Sequence, residues 1–316
     1  MAINAWSFTI PSMESEEPEK DEWENQLWAD RHKPIDPNDL CIPSRKVNDV
    51  ERIIRGSSIY NSHSKLKVLL LTGKTGTGKS TMIKLLAQKM DIQIIEWEAE
   101  HRIKNDPDYV STMERFEDFM HGTILRQTLN QNNRKKMILL DDIPDLTSSL
   151  IKDRFHEILT RYILDRHPFF MVITISEATS DSVSSTYNST ETRMTQAHDV
   201  LPDSLTDSSF VRNITINPVT AATMKKKLAN IIKKEHSSAR DSDRDAIIDM
   251  AEGDLRIAIN HLQFYFPPGR KGSQNPISEE IKMGSNPLTL FHALGKVLYA
   301  KRNPDNTLES KPELAN

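Results

Sequence analysis

Residues 67 to 80 read KVLLLTGKTGTGKS, an apolar run followed by a glycine-rich turn that ends in a lysine and a serine. Gly73, four further residues and then Gly78-Lys79-Ser80 have the spacing of a phosphate-binding loop between a strand and a helix. The backbone N–H groups of such a loop wrap the phosphates of a nucleotide, helped by the positive end of the following helix. The stretch therefore predicts a bound nucleoside triphosphate, and it leaves open whether that nucleotide serves phosphoryl transfer, a motor or a binding switch.

The loop residues have distinct expected roles. Lys79 is expected to reach the β- and γ-phosphates, and the hydroxyl of Ser80 is expected to bind Mg²⁺. A glycine-rich turn with a chance Lys-Ser pair is the alternative, and the strand-loop-helix context argues against it. The predicted nucleotide-binding residues are Gly73, Lys74, Thr75, Gly76, Thr77, Gly78, Lys79, Ser80 and Thr81.

A second segment, MILLDD at residues 137 to 142, complements the loop. Its apolar residues predict a buried strand, and Asp141 at the carboxyl end of that strand is expected to hold Mg²⁺ through water. Asp142 stands where a catalytic base or a water-orienting carboxylate belongs. A helix cap at Asp142 is the simpler alternative, but the pairing with a phosphate loop favours the magnesium site.

Further polar residues are placed to act on the γ-phosphate. Thr174 and Ser176 end the next predicted strand, where either hydroxyl could sense that phosphate or orient water; ordinary strand-end hydroxyls are the alternative. In GDLR, Gly253 ends one predicted helix, Asp254 caps the next and Arg256 lies in its first turn. A cation there can reach across a cleft to the phosphate, although an ordinary exposed arginine has the same pattern. The predicted catalytic residues are Asp142, Ser176 and Arg256.

Apolar runs alternate with helical patterns over much of the chain. Besides the two runs quoted above, DIQIIEWEA and PFFMVITIS predict buried strands, and STMIKLLAQKM and DRFHEILTRYIL predict amphipathic helices. VNDVERIIRG predicts a helix with Val47, Val50, Ile53 and Ile54 on one face and Gly56 at its end. Strands that alternate with helices predict an α/β fold, a parallel sheet with helices on both faces.

Composition divides the chain into segments. Residues 178 to 209 are rich in Ser, Thr and Asp without an apolar period, which predicts a long, mobile surface loop. Beyond Pro218 the pattern is only helical, which predicts a small all-helical domain. The predicted division is a disordered acidic leader (1–22), a nucleotide-binding core (23–216), a helical lid domain (217–302) and a polar tail (303–316).

Charge and cysteine content weigh against several classes of protein, although the charge leaves open local contacts to DNA inside a larger assembly. The 316 residues carry a formal net charge of −4, so there is no global basic field of the kind that a free-standing DNA-binding protein uses. No run approaches the length needed to cross a bilayer, and the N-terminus lacks the pattern of a secretory signal. The single cysteine, Cys41, excludes an internal disulfide and fits a reducing compartment.

Together, the loop, the acidic strand, the polar strand tip and GDLR resemble the AAA+ ATPases, specifically clamp loaders of the replication factor C type. LWADRHKP (27–34) resembles the segment with which those subunits flank the adenine base, and GDLRIAINHLQF (253–264) resembles their lid signature. DRFHEILTRYI (153–163), ITINPVT (214–220) and LFHALGKVLYAKR (290–302) resemble the large subunit of the DNA-damage checkpoint clamp loader.

The resemblance implies an AAA+ core with a helical lid and an ATP- and Mg²⁺-binding subunit that acts in the nucleus, on chromatin. Such a subunit joins small replication factor C subunits, opens a heterotrimeric ring clamp and places it at DNA junctions in the damage checkpoint and repair response. Bound ATP would order the assembly that grips clamp and DNA, and hydrolysis would release both. ATPase activity is expected to be weak and to need the partner subunits.

The chain departs from the family pattern in ways that shape these expectations. Asp142 stands where typical members have glutamate, and its shorter side chain predicts slow hydrolysis. The Ser-Arg-Cys arginine finger of small loader subunits is replaced by DSSFVRN, with Arg212 inside a predicted strand; this suits a subunit at the end of the arc. The chain stops soon after residue 302, before the helical collar of loader subunits, which predicts a truncated or short form.

Candidate partner contacts complete the expectations. In MERFEDFM (113–120), Phe116, Phe119 and Met120 are candidate contacts to the clamp, with packing on the sheet as the alternative. Lys152 and Arg154 open a helix and are candidate DNA-phosphate contacts, and Ser273-Gln274 is a candidate kinase target. A non-catalytic ATP-binding module and a P-loop kinase remain as alternative functions, distinguished by ATP turnover and by phosphoryl transfer to added substrates.

Overall fold

The structure is a computed structural model that describes residues 26–61, 63–97, 110–129, 135–144, 146, 148–165, 169–176 and 200–267. The helices are α1 (Trp28–Arg31), α2 (Ser44–Gly56), α3 (Lys79–Lys89), α4 (Thr112–Leu129), α5 (Ser149–Leu164), α6 (Asp203–Thr206), α7 (Ala221–Lys234), α8 (Asp241–Ala251) and α9 (Leu255–Tyr265), with a 3-10 turn at Pro37–Asp39. The strands are β1 (Val68–Gly73), β2 (Ile92–Trp97), β3 (Lys135–Leu140), β4 (Met171–Ser176) and β5 (Val211–Thr215).

The strands form one five-stranded parallel sheet in the order β2-β3-β4-β1-β5. Every residue of β1 is buried, because this strand has a neighbour on each side and helices over both faces, which explains its near-continuous apolar sequence. The pairing of β1 with β4 places Gly73 beside Ser176. The carboxyl ends of β1, β3 and β4 therefore lie together at one edge of the sheet, the edge at which open α/β sheets bind ligands.

Two apolar clusters cover the two faces of this sheet. One draws on α4 and α5, through residues such as Phe116 and Phe155. The other draws on α2 and α3, through residues such as Ile54 and Leu86. The predicted α/β architecture with helices on both faces is confirmed, as is the helix α2, which ends at Gly56.

The apolar residues of α4 face the sheet. Phe116 and Met120 are fully buried, and the ring of Phe116 lies 5.3 Å from that of Trp97 and 5.0 Å from that of Phe155. Phe119 packs against the same cluster and remains partly buried. The prediction that Phe116 and Met120 contact a clamp is wrong, because the helical spacing that brings them to one face turns that face onto the core.

The predicted mobile loop at residues 178 to 209 is wrong at its carboxyl end. Residues 203 to 206 form helix α6, and Val200, Leu201 and Leu205 are buried in the cluster that contains Phe116. Such apolar side chains anchor the segment ahead of β5 by removing their surface from water. Residues 178 to 199 lie outside the described residues.

Beyond β5 the chain turns helical. Helices α7, α8 and α9, the lid helices, make up the regular structure of the described residues after 216. The all-helical lid domain at 217–302 stays a prediction, because residues 268–302 lie outside the described residues. The chain forms two compact units, residues 1–271 and 272–316, and every described residue belongs to the first. Several predicted features lie outside the described residues: the leader (1–22), the stretch 290–302, the polar tail (303–316) and Ser273. Among the described helices, none has the length and apolar character to span a membrane.

Candidate nucleotide-binding site

The phosphate loop follows β1 as predicted and leads into α3, which begins at Lys79. Gly73 has a φ of +146°, and a Cβ added there would overlap the carbonyl oxygen of Ile216, so only glycine fits at this close approach. Gly78 adopts the left-handed conformation directly before the first helical residue. The amino end of α3 is thereby aimed into the loop, which is the arrangement that binds phosphate.

Lys79 lies inside the loop with its ammonium group held in place. Its Nζ donates to the carbonyl oxygens of Gly73 and Lys74, both at 2.8 Å, and lies 3.3 Å from Oγ of Ser176. The residue is buried, so its charge is concentrated where a phosphate would enter. The structure thus brings together two of the predicted site residues: Lys79, which follows the loop after β1, and Ser176, which ends the adjacent strand β4.

The predicted magnesium ligands also meet. The hydroxyls of Ser80 and Thr174 both donate to Oδ1 of Asp141. A hydroxyl and a carboxylate oxygen at the phosphate loop are oxygen ligands of the kind that Mg²⁺ takes together with nucleotide phosphates and water. Within the described residues no cluster of three or more His, Cys, Asp or Glu side chains could hold a metal without such help. The residues present therefore fit Mg²⁺ brought in with a nucleotide.

Asp142 and Arg256, two of the predicted catalytic residues, are both exposed to solvent. Asp142 follows Asp141 directly after β3, so its carboxylate lies at the same edge of the sheet. Arg256 lies in the first turn of α9, which Asp254 caps by accepting a 3.0 Å hydrogen bond from the backbone N–H of Ile257. The sequence-based prediction of this cap and of the helix start is confirmed.

The turn before α9 lies on the phosphate loop. Nζ of Lys74 donates to the carbonyl oxygen of Glu252 at 3.2 Å, and it lies 3.5 Å from Oε2 of the same residue. Gly76 has a φ of +65°, and a Cβ added there would overlap the carboxylate of Asp254. The lid therefore touches the loop directly, and Gly76 is the residue that allows it to approach.

A cavity of about 450 Å³ opens between the loop, the N-terminal segment and α9. This size falls in the range of small-molecule and cofactor sites. Its lining includes Leu27, Ala29, Asp30, His32, Lys33 and Pro34 from the N-terminal segment; Gly76, Thr77, Gly78 and Thr81 from the loop and α3; and Leu255, Arg256, Ile259 and Asn260 from α9. The cavity adjoins the loop, as the base and sugar of a loop-bound nucleotide require.

Several lining residues were not predicted from the sequence as site residues. Ile259 and Asn260 follow Arg256 at helical spacing, a signal that could have found them. Lys227 sits in a run of lysines that looks like a solvated face, so nothing in the sequence sets it apart. Cys41 also lines the cavity, and burial raises the pKa of its thiol while the charge of Lys227 lowers it to a smaller extent.

Arg154, a candidate DNA contact, bonds to a neighbouring helix, and Arg212 lies in a strand. Nη2 of Arg154 donates to Oε2 of Glu117 at 2.6 Å, joining α5 to α4, and this bond lowers the pKa of the Glu117 carboxyl. Arg212 lies in β5, as the sequence predicted, and it is exposed.

Similar proteins carry checkpoint and replication factor C names. The family model described as the Rad17 P-loop domain matches residues 20–191. "Checkpoint protein rad17" of Schizosaccharomyces pombe is 27% identical over 284 residues, which cover 82% of this chain and 45% of the relative. "Cell cycle checkpoint protein RAD17" of Mus musculus is 26% identical over 348 residues, covering 91% of this chain and 48% of the relative. "Replication factor C subunit 1" of Oryza sativa subsp. japonica is 23% identical over 257 residues, covering 75% and 23%.

The chain spans a little under half the length of these two checkpoint relatives. Each match extends over most of this chain, so the similarity is not confined to the phosphate loop.

Proposed function

The chain belongs to the family of the Rad17 P-loop domain, and on that premise we propose that it is an ATP-binding, clamp-loader-like subunit of the DNA-damage checkpoint. The printed names of its relatives, two checkpoint proteins and a replication factor C subunit, support this assignment. The single observation that carries the proposal is the contact of the lid turn with the phosphate loop, at Lys74–Glu252 and Gly76–Asp254. Through that contact a bound nucleotide acts on core and lid together, as a binding switch requires.

The roles of the site residues follow from their positions. Lys79 neutralises the β- and γ-phosphates, and the Ser80 hydroxyl with Asp141 holds Mg²⁺, which supplies further charge neutralisation when bound. Asp142 and Ser176 orient the attacking water at the carboxyl edge of the sheet. Arg256 reaches the γ-phosphate from the lid, so its interaction is present with ATP and lost with ADP. The loop N–H groups and the side chains of Thr75, Thr77 and Thr81 complete the phosphate site.

Nucleotide binding is thereby coupled to assembly. We place the chain with small replication factor C subunits, a heterotrimeric ring clamp and DNA junctions on chromatin, in the nucleus. ATP closes the lid on the core and presents a surface that the neighbouring subunits bind. Hydrolysis, slow in the isolated chain because Asp142 is one methylene shorter than glutamate, releases the clamp and the DNA.

The test is a pull-down of this chain with the small loader subunits and the ring clamp, with ATP, with ADP and without nucleotide. Co-purification that depends on ATP is the expected result. Lys79→Glu serves as the nucleotide-free control, since it should lose the ATP-dependent fraction only. Failure to co-purify with any partner in all three states would contradict the proposed assembly.

A non-catalytic ATP-binding interaction module is the second candidate, and Asp142 is the observation that favours it. The two candidates differ in one measurement, the turnover of ATP by the chain in the presence of the small loader subunits and DNA. Turnover that exceeds the sum of the separate components favours the loader. Tight ATP binding with no added turnover favours the module.

A further inference from the structure

The N-terminal segment that lines the cavity is attached to the lid by one buried carboxylate. Glu235 directly follows α7, and each of its oxygens has a partner in the segment. Nη1 of Arg31 lies 2.7 Å from Oε2, and Nε2 of His32 lies 2.6 Å from Oε1. The exposed fractions of the three side chains are only 8%, 10% and 9% for Arg31, His32 and Glu235. This is an ionic hub largely removed from solvent.

Such a hub depends on all of its hydrogen-bond partners. A carboxylate withdrawn from water is stable only if its oxygens are bonded to charged or polar donors, and removal of one partner leaves the other groups unsatisfied. The partners come from positions 204 and 203 residues apart in sequence, so the hub forms only when the segment and the lid are folded against each other. It therefore defines the position of the segment rather than following from local structure.

A second attachment points the same way. Trp28 is 1% exposed, and its backbone N–H donates to Oε1 of Gln263 in α9 at 2.9 Å. Helix α1 is thus held to the lid at both ends, while Ala29 within it and the following residues His32 and Pro34 line the cavity. The phosphate loop, by contrast, is part of the core and follows β1. A nucleotide in this cavity would have its phosphates on the core and its base beside a segment that is bonded to the lid.

We propose that Glu235 is a positioning residue that determines the nucleobase selectivity of the site. It holds residues 27–34 at the distance from the phosphate loop that admits an adenine base against Ala29, Pro34 and Ile259. The inference rests on the proposed ATP-binding function and adds a residue that itself does not line the cavity. Without the hub, the segment keeps its attachment at Trp28, but residues 29–34 are no longer held at a fixed distance from the loop. The site then still binds phosphates but loses its preference for the base.

The experiment compares three ligands on the full chain by isothermal titration calorimetry: ATP, GTP and inorganic tripolyphosphate, each with Mg²⁺. Glu235→Gln keeps the size of the side chain and removes its charge. Loss of charge-assisted hydrogen bonds of this kind corresponds to roughly tenfold weaker ATP binding. Tripolyphosphate affinity should stay unchanged, and the ratio of ATP to GTP affinity should fall toward one. Glu235→Asp, which keeps the charge, should restore part of the preference.

Two further variants separate positioning from a general loss of structure. Asp245→Asn removes an exposed ion pair of the same lid, in which Asp245 lies 2.9 Å from Lys225 with exposed fractions of 50% and 49%; all three affinities should remain as in the unaltered chain. Arg31→Met breaks the hub from the other side and should reproduce the selectivity loss of Glu235→Gln. Arg31→Met keeps the proposal testable if Glu235→Gln fails to fold.

The outcomes distinguish failure of the inference from failure of the proposed function. An unchanged ATP-to-GTP ratio in both hub variants overturns the inference, and so does an equal loss of ATP and tripolyphosphate, which would mean that the hub only stabilises the fold. In either case the unaltered chain still binds ATP, so the proposed function stands. An unaltered chain that binds none of the three ligands overturns the proposed function together with the inference.

Discussion

The two ends of the nucleotide cavity are built in different ways. The phosphate end consists of one loop and the carboxyl ends of adjacent parallel strands, where Lys79, Ser80 and Asp141 meet. The base end consists of an N-terminal segment and a lid, joined through contacts such as Arg31–Glu235 across 204 residues of sequence. The first is a property of the sheet, whereas the second exists only when remote parts of the chain pack together.

This difference suits a switch. The phosphate end is anchored on a strand whose residues are all buried, so it is rigid and binds nucleotide in a constant geometry. The lid turn, by contrast, rests on the phosphate loop through polar contacts at the surface of the core, such as Lys74–Glu252. Elements with few buried apolar contacts open at lower free energy cost than the core. In the proposed function, a ligand that spans both ends shifts the lid without deforming the sheet.

The largest effect is expected at the phosphate end. Lys79→Glu replaces the buried ammonium with a carboxylate facing the phosphates, and ATP binding should weaken by about a hundredfold or more. Lys226→Glu, the same change at an exposed position of α7, should leave the affinity unaltered. Equilibrium binding of a fluorescent ATP analogue measures both. Equal affinity in the two variants would refute the assignment of the loop.

The contact between the two ends is tested next. In Gly76→Ala the added Cβ overlaps the Asp254 carboxylate and must adopt a positive φ, so the lid has to move away from the loop. Strain of this kind corresponds to roughly tenfold weaker ATP binding. Adding Asp254→Ala should recover part of the affinity, since it removes the overlapping group; no recovery would mean that loop strain alone is responsible.

Gly122→Ala is the matched control for that change. Gly122 lies within α4, and a Cβ added there would meet nothing within 4 Å. Removing a flexible glycine from a helix should raise the free energy of unfolding by about 0.5–1 kcal/mol. ATP affinity should not change.

Arg256→Ala tests the proposed contact between the lid and the γ-phosphate. If this guanidinium reaches the γ-phosphate as proposed, ATP affinity should fall by about tenfold while ADP affinity changes far less. Arg212→Ala, an exposed arginine in β5, should affect neither nucleotide in the isolated chain. A similar loss for ATP and ADP would place Arg256 on the base or sugar instead.

The smallest effect concerns the chemical step. Asp142→Glu lengthens the carboxylate toward the attacking water and should raise the single-turnover rate of hydrolysis by a few-fold, within the range that positioned acid–base groups supply. Asp142→Asn should lower that rate, and neither change should alter ATP affinity. If both variants keep the original rate, Asp142 does not orient the water.

Most of the fold and the phosphate end were predictable from local pattern. A buried strand followed by a glycine-rich loop has few structural solutions, and polar residues at the ends of parallel strands must share an edge of the sheet, which is why Asp141, Thr174 and Ser176 were found. The helical spacing in α4 was equally clear, but it defines only which residues share a face. Phe116 and Met120 were assigned to a partner because periodicity does not reveal whether that face meets a clamp or the protein's own sheet.

The amino-acid pattern thus determined the phosphate loop, the meeting of Ser80 with Asp141 and the cap of α9, because each depends on residues close in sequence or on the rule that strand ends converge. Packing alone determined that the lid turn rests on Gly76, that residues 200–205 are anchored in the core, and that Glu235 joins the N-terminal segment to the lid. These contacts join groups that are far apart in the chain. The sum of many weak contacts determines that such groups meet, and no periodic pattern in the sequence indicates it.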